Sequence, residues 1–163
     1  MKTTRRIYWD ACVFIHALEQ TVEYRPTLEA IVDEARAGRL VIVTSALTLA
    51  ETGVRVAQDG APTDELLDVL FRSNYISVRA LDAPLASQAR RIARAHGLKP
   101  MDAIHVATAI DCAVEVMHTM DGKTKRRGLI PKSGKIGEPG LVIKEPDWPV
   151  QNRLALDEPA DNH

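Results

Sequence analysis

The chain has 163 residues, 45% hydrophobic and 26% charged, which fits one soluble globular domain able to bury a core without disulfides or structural metal. A formal net charge of −1 selects no partner class, and the two cysteines, Cys12 and Cys112, make neither a disulfide framework nor a zinc motif. The basic start, Met1 to Arg6, leads into an apolar run that Asp10 cuts too short for a signal peptide, and no later run could span a membrane, so a cytoplasmic protein is expected.

Ile7-Tyr8-Trp9 reads as a short buried strand ending at Asp10. Cys12 to Glu19 reads as a helix, with Val13, His16 and Ala17 on one side. Thr27 to Ala37 follows as an amphipathic helix, with Leu28, Ile31, Val32 and Ala35 at helical spacing and Gly38 as its stop. Leu40-Val41-Ile42-Val43 is a continuous apolar run, the pattern of a strand covered on both faces. Thr44-Ser45 offers an N-cap to a helix from Ala46 to about Ala57, and 59–62 reads as a turn. Asp64 to Ser73 is a helix with Leu66, Leu67 and Leu70 inward, and Tyr75 to Val78 a third strand. Asp82 caps a helix that runs to His96 and stops at Gly97; Pro100 opens another that reaches about Ala113. Glu115 to Thr119 and Leu141 to Ile143 are the last two strands. Between them, Gly122 to Gly140 is a long loop rich in glycine, proline and lysine. One domain over 1–149 is expected, with a loosely held tail over 150–163. Strands alternating with helices predict an α/β layered domain on a largely parallel sheet.

Ligands of open α/β sheets bind at the carboxyl ends of the strands. Asp10 follows the first strand and Asp121 the fourth; Glu51 lies early in the helix after the second strand, and Asp102 opens the helix before the fourth. Each has an ordinary reading as a turn, cap or helix-terminus residue. Glu51, however, shares a helical stripe with Leu47, Ala50 and Val54, and Asp102 one with His105, Val106 and Ala109. Carboxylates on apolar stripes are rare unless they are paired or bound to something. Four acids gathered at one edge repel one another, and a divalent oxygen-seeking cation such as Mg²⁺ or Mn²⁺ relieves that repulsion. Such a site activates water and stabilises charge on a phosphodiester, so hydrolysis of a nucleic-acid backbone is the chemistry to expect.

Ile7-Tyr8-Trp9-Asp10, Thr44-Ser45-Ala46-Leu47-Thr48-Leu49-Ala50-Glu51, Pro100-Met101-Asp102-Ala103-Ile104-His105 and His118-Thr119-Met120-Asp121 together resemble, in order, the acidic motifs of the PIN-domain family, above all its VapC-type ribonuclease toxins. The resemblance runs from about Ile7 to Pro146. It implies a three-layer α/β/α fold with a central, mostly parallel five-stranded sheet. It also implies Mg²⁺ or Mn²⁺ held by Asp10, Glu51, Asp102 and Asp121, which would be catalytic as metal ligands or as carboxylates orienting a water. The implied activity is endonucleolytic cleavage of RNA, single-stranded or structured, leaving a 5′-phosphate and a 3′-hydroxyl. The implied partners are a second copy in a homodimer and an antitoxin protein in the active-site groove. Cys12 stands where the family often has a hydroxyl or amide, and Gly122-Lys123-Thr124-Lys125 follows the last acid where many members carry another Asp or Asn.

Lys123, Lys125, Arg126 and Arg127, with Lys132 and Lys135, put positive charge beside Asp121 and are candidate RNA-backbone contacts, a merely solvated loop being the alternative. Arg90, Arg91 and Arg94 read as a solvated helix face. His105 reads as a partly buried residue that packs or hydrogen-bonds locally, not as a general base. Thr44, Ser45 and Thr119 either bond the acids or cap helices and end strands. A catalytically silent PIN-like module that binds RNA or protein is the alternative function. A receiver domain would need an acidic pair after the first strand, and a haloacid-dehalogenase-type enzyme would need Asp where Cys12 stands.

Overall fold

The structure, a computed structural model, describes residues 4–55, 63–124 and 126–148. Its elements are β1 (Arg5–Trp9), α1 (Ala11–Leu18), α2 (Arg25–Arg36), β2 (Leu40–Ser45), α3 (Ala46–Arg55), α4 (Asp64–Phe71), β3 (Ile76–Arg79), α5 (Ala83–His96), α6 (Pro100–Asp111), β4 (Val116–His118) and β5 (Ile143–Lys144). The strands form one five-stranded sheet in the order β3-β2-β1-β4-β5, and every neighbouring pair is parallel. The expected three-layer α/β/α architecture is therefore the observed one.

Alternation along β1 sorts the two cores. Ile7 and Trp9 point to one face, where they meet Val13 and Phe14 of α1, Leu28, Ile31 and Ala35 of α2, and Phe71 of α4. Tyr8 points to the other, with Val106 and Ala109 of α6 and Met117 of β4. A third cluster, Leu85, Ala89, Ala103 and Ala107, lays α5 against α6 through small side chains. The helix signals work as read: Asp82 accepts from the Leu85 N–H at 2.9 Å, and Gly97 ends α5 at φ +64°.

Some expectations need correction. The second strand extends through Thr44 and Ser45, whose backbone pairs with Val78 and Arg79 of β3, while Ser45 caps α3 as expected by accepting from the Leu47 N–H at 3.2 Å. Leu66 is 60% exposed, while Leu67 and Phe71 are buried and Leu70 packs partly against the same core, as expected of Leu67 and Leu70. The fifth strand starts at Ile143, since Met117 and His118 of β4 pair with Ile143 and Lys144. The segment 122–140 is the long loop expected, but some of its described residues are packed. It holds a 3-10 turn at Ile130–Lys132 and sinks Leu129 and Ile136 into the Tyr8 core at 1% exposure each. The turn expected at 59–62, the end of α3 at Ala57 and the tail from 150 lie outside the described residues.

His118, the last residue of β4, is 1% exposed, and its Nδ1 accepts from the Trp9 indole N–H at 3.3 Å. Asp147 Oδ1 stands 3.7 Å from Nε2, beyond hydrogen-bond reach. Burial pulls the imidazole down to about 4, outweighing the opposing pull of Asp147. The unfolded chain binds this proton near pH 6.5 and the folded chain only near 4. Stability from this residue is thus fully present above about pH 6.5 and lost as pH falls toward 4, at up to about 1.4 kcal/mol per unit. His118→Gln keeps an acceptor for the indole, so melting temperatures over this window should fall less steeply than in the wild type. An unchanged slope would show that His118 is not the group that loses stability there.

Candidate active site

In the strand order 3-2-1-4-5 the chain moves one way from β1 to β2 and β3, and the other way to β4 and β5. The crevice between β1 and β4 at their carboxyl ends is the topological switch point, where open α/β sheets bind ligands. Asp10 leaves β1 directly into it and is only 6% exposed. As the N-cap of α1 it accepts from the Val13 N–H at 3.2 Å, and the Cys12 thiol donates to the same Oδ1 at 2.8 Å. Burial raises its affinity for a proton; His105, Cys12, a Thr119 hydroxyl bond and the Val13 amide oppose that rise without cancelling it. The Cys12 thiol is itself pushed far up by burial and by Asp10, so it stays protonated and serves as a donor.

Asp121 follows β4 by three residues and is exposed. Its backbone N–H donates to Thr119 Oγ1 at 3.0 Å, and its Oδ2 accepts from the Leu129 N–H at 3.0 Å. Gly122 (φ +89°) and Gly128 (φ +127°) pass in contact beneath it, and a Cβ at Gly128 would meet the Gly122 backbone and Asp121 Oδ1. Thr119 therefore favours the charged form of Asp10 and holds the turn that carries Asp121.

Asp102 sits in the first turn of α6 and is half-buried. Burial raises its pKa first and the charge of Asp121 second, with a smaller push from Asp10; His105 and Lys99 oppose. Glu51 comes from α3, which packs against β2, α1 and α6. Its Oε2 lies 2.8 Å from His105 Nε2, and His105 Nδ1 lies 2.6 Å from the Tyr8 hydroxyl. His105 thus bonds across the fold, not locally. Tyr8 escaped the sequence reading; the signal was a phenol in a fully enclosed strand, which must find a partner.

All four acids line one cleft of about 380 Å³, together with Ala11, Cys12, Ile15, Met101 and His105. A second hollow, of about 400 Å³ between α1, α2 and the sheet, holds none of them. The donors are carboxylate oxygens; burial strains Asp10, and burial with like-charge repulsion strains Asp102, and a hard divalent cation would relieve both. Among the described residues, however, no three His, Cys, Asp or Glu side chains stand close enough to form a ready ligand set.

The basic residues divide. Lys123 pairs with Glu23 at 2.6 Å and Glu145 at 3.1 Å and donates to the Tyr24 hydroxyl, so it ties the Asp121 turn to the α1–α2 connection. Arg126 and Arg127 are exposed, and Lys125 lies outside the described residues. Thr44 donates to the Trp9 carbonyl at 2.7 Å and contacts no acid; it fixes the end of β1 just before Asp10. No helix among the described residues is long and apolar enough to cross a membrane.

Three solved structures share this architecture. VapC20 of Mycobacterium tuberculosis, a sarcin-ricin-loop-cleaving toxin, aligns at TM-score 0.57 with 18% identity over 71% of this chain and 90% of its own. A toxin–antitoxin complex from Klebsiella pneumoniae aligns at 0.57 with 15% identity over 83% and 99%. VapBC2 of Rickettsia felis, bound to a DNA fragment from its promoter, aligns at 0.55 with 18% identity over 87% and 99%. At such identities they show the shared fold alone. A search of curated proteins gave no match. A family model described as PIN domain matches residues 7–128, a span that takes in four of the five strands and all four acids, and on that match the chain belongs to the PIN-domain family.

Proposed function

We propose that this protein is a divalent-metal-dependent endoribonuclease that hydrolyses phosphodiester bonds of single-stranded RNA and serves as the toxin of a type II toxin–antitoxin pair. The observation that carries the reading is the meeting of Asp10, Glu51, Asp102 and Asp121 in one cleft at the switch point of a parallel sheet. Asp10, Asp102 and Asp121 would hold Mg²⁺ or Mn²⁺, with Glu51 beside them. The ion would supply an activated water and charge stabilisation at the scissile phosphate. The protein's own part is to keep buried acids ionised next to that ion: Cys12, Thr119 and the Val13 amide favour the charged form of Asp10, as His105 and Lys99 favour that of Asp102. Exposed Arg126 and Arg127 would meet the RNA backbone, a homodimer is the expected assembly, and an antitoxin segment would occupy the cleft. The toxin role draws on the fold shared with toxin structures.

A second reading has an observation in its favour. The described acids form no ready three-ligand set, and Glu51 is tied to His105, as a silent RNA- or protein-binding PIN module would allow. Incubation of end-labelled single-stranded RNA with Mg²⁺, Mn²⁺ or excess chelator separates the two. The proposal expects cleavage with metal and none with chelator. Intact RNA under all conditions supports the silent module, and full cleavage in chelator contradicts metal dependence.

Asp102→Asn removes a charge at nearly constant volume. In metal-free protein the variant should melt at the same temperature as the wild type or higher, because repulsion from Asp121 and the burial cost both fall. Mn²⁺ should raise the wild-type melting temperature by mass action and the variant's much less. Equal metal responses would remove Asp102 from the site. For the basic segment, replacing Arg126 and Arg127 by Ala should weaken RNA binding and lower the slope of log K against log salt by about 0.7 for each phosphate no longer neutralised. An unchanged slope would make these side chains solvated surface only.

A further inference from the structure

Tyr8, His105 and Glu51 belong to β1, α6 and α3, yet they form one buried chain of hydrogen bonds. Tyr8 is fully enclosed, and the His105 and Glu51 side chains are 5% and 22% exposed. The bonds are short, 2.6 Å from Tyr8 Oη to His105 Nδ1 and 2.8 Å from His105 Nε2 to Glu51 Oε2.

This arrangement fixes one proton of the ring. A carboxylate only accepts, so Nε2 must carry a proton. Across the ring, Nδ1 faces the Tyr8 hydroxyl, which can donate to it or accept from it. A ring protonated on Nδ1 alone would turn a lone pair on Glu51. The His105 ring is the partner that the structure gives the Glu51 carboxylate.

We infer that His105 is a positioning residue, held by Tyr8 at Nδ1, that donates from Nε2 to Glu51 Oε2 and sets the remaining oxygen, Oε1, on the cleft. The inference deepens the proposed function and rests on its reading of Glu51 as a working carboxylate of that cleft. It gives an orienting role to a strand residue that is not part of the cleft lining: Tyr8 acts on Glu51 only through the ring between them.

Two readouts test it. Long-range ¹H–¹⁵N spectra of histidine-labelled full-length protein should show one ring, assigned by its loss in His105→Gln, with a proton on Nε2. Tyr8→Phe removes a single hydroxyl and should move the Nδ1 resonance of that ring while Nε2 stays protonated. In the Mn²⁺-supported RNA assay, His105→Ala should lower kcat about 10–100-fold with far less change in KM. His105→Gln, whose amide can donate to the carboxylate, should recover much of that loss. If His105→Ala does not fold, Tyr8→Phe and His105→Gln carry the test. A wild-type ring found without a proton on Nε2, a spectrum indifferent to Tyr8→Phe, or a folded His105→Ala with wild-type kcat would each overturn the inference. An inactive wild type would overturn the proposed function instead, and the ring spectra would then decide the present inference by themselves.

Discussion

A carboxylate closed off from water at the end of the central strand is the constraint on which the carboxyl edge of this protein is built. Asp10 ends β1 and starts α1, and one of its oxygens serves as helix cap and as acceptor for the Cys12 thiol. Desolvation works against its charge; three hydrogen-bond donors and the nearby His105 work for it. Desolvation wins, so this carboxyl gives up its proton less readily than a free one. Asp102 is in the same position for a partly different reason, since Asp121 adds direct repulsion to its burial. Both strains have the same sign, and both are relieved by positive charge in the cleft they share.

The sheet order brings the acids to that cleft. With β1 flanked by β2 and β4, the ends of β1 and β4 deliver Asp10 and Asp121 to the two sides of one crevice. The helices add the rest: α6, packed on α5 through alanines, presents Asp102 and His105, and α3 carries Glu51 across to meet them. Behind Asp121, the segment 122–140 anchors its turn by burying Leu129 and Ile136, while Lys123 pins the same turn to the α1–α2 connection. Function and packing are thus tied together. The residues that hold the acids are largely those that close the core beneath them.

The parts legible in the sequence were those written in local pattern. Leu28, Ile31 and Ala35 announced the inner face of α2, the run from Leu40 announced a buried strand, and Asp82 and Gly97 marked the ends of α5. The four acids were readable because strand ends and helix stripes place side chains predictably. What stayed hidden depended on partners far along the chain. Tyr8 meets His105 from 97 residues away, and His105 meets Glu51 across 54, so neither bond leaves a trace in spacing. Lys123 read as a nucleic-acid contact because Glu23 and Glu145 lie 100 and 22 positions distant, outside any local window. The burial of Leu129 and Ile136 in the loop 122–140 went unread because they follow no helical or strand period, only the shape of the space they fill.

The central claim is that the cleft lined by Asp10, Glu51, Asp102 and Asp121 is a divalent-cation site. The most direct measurement is a titration of metal-free protein with Mn²⁺ followed by electron paramagnetic resonance, which reads free Mn²⁺ without any substrate. The account predicts saturable binding in the wild type and loss of most of it in Asp10→Asn, with the fold of the variant verified by circular dichroism. Absence of saturable binding in the wild type, or equal binding in a folded Asp10→Asn, would contradict it.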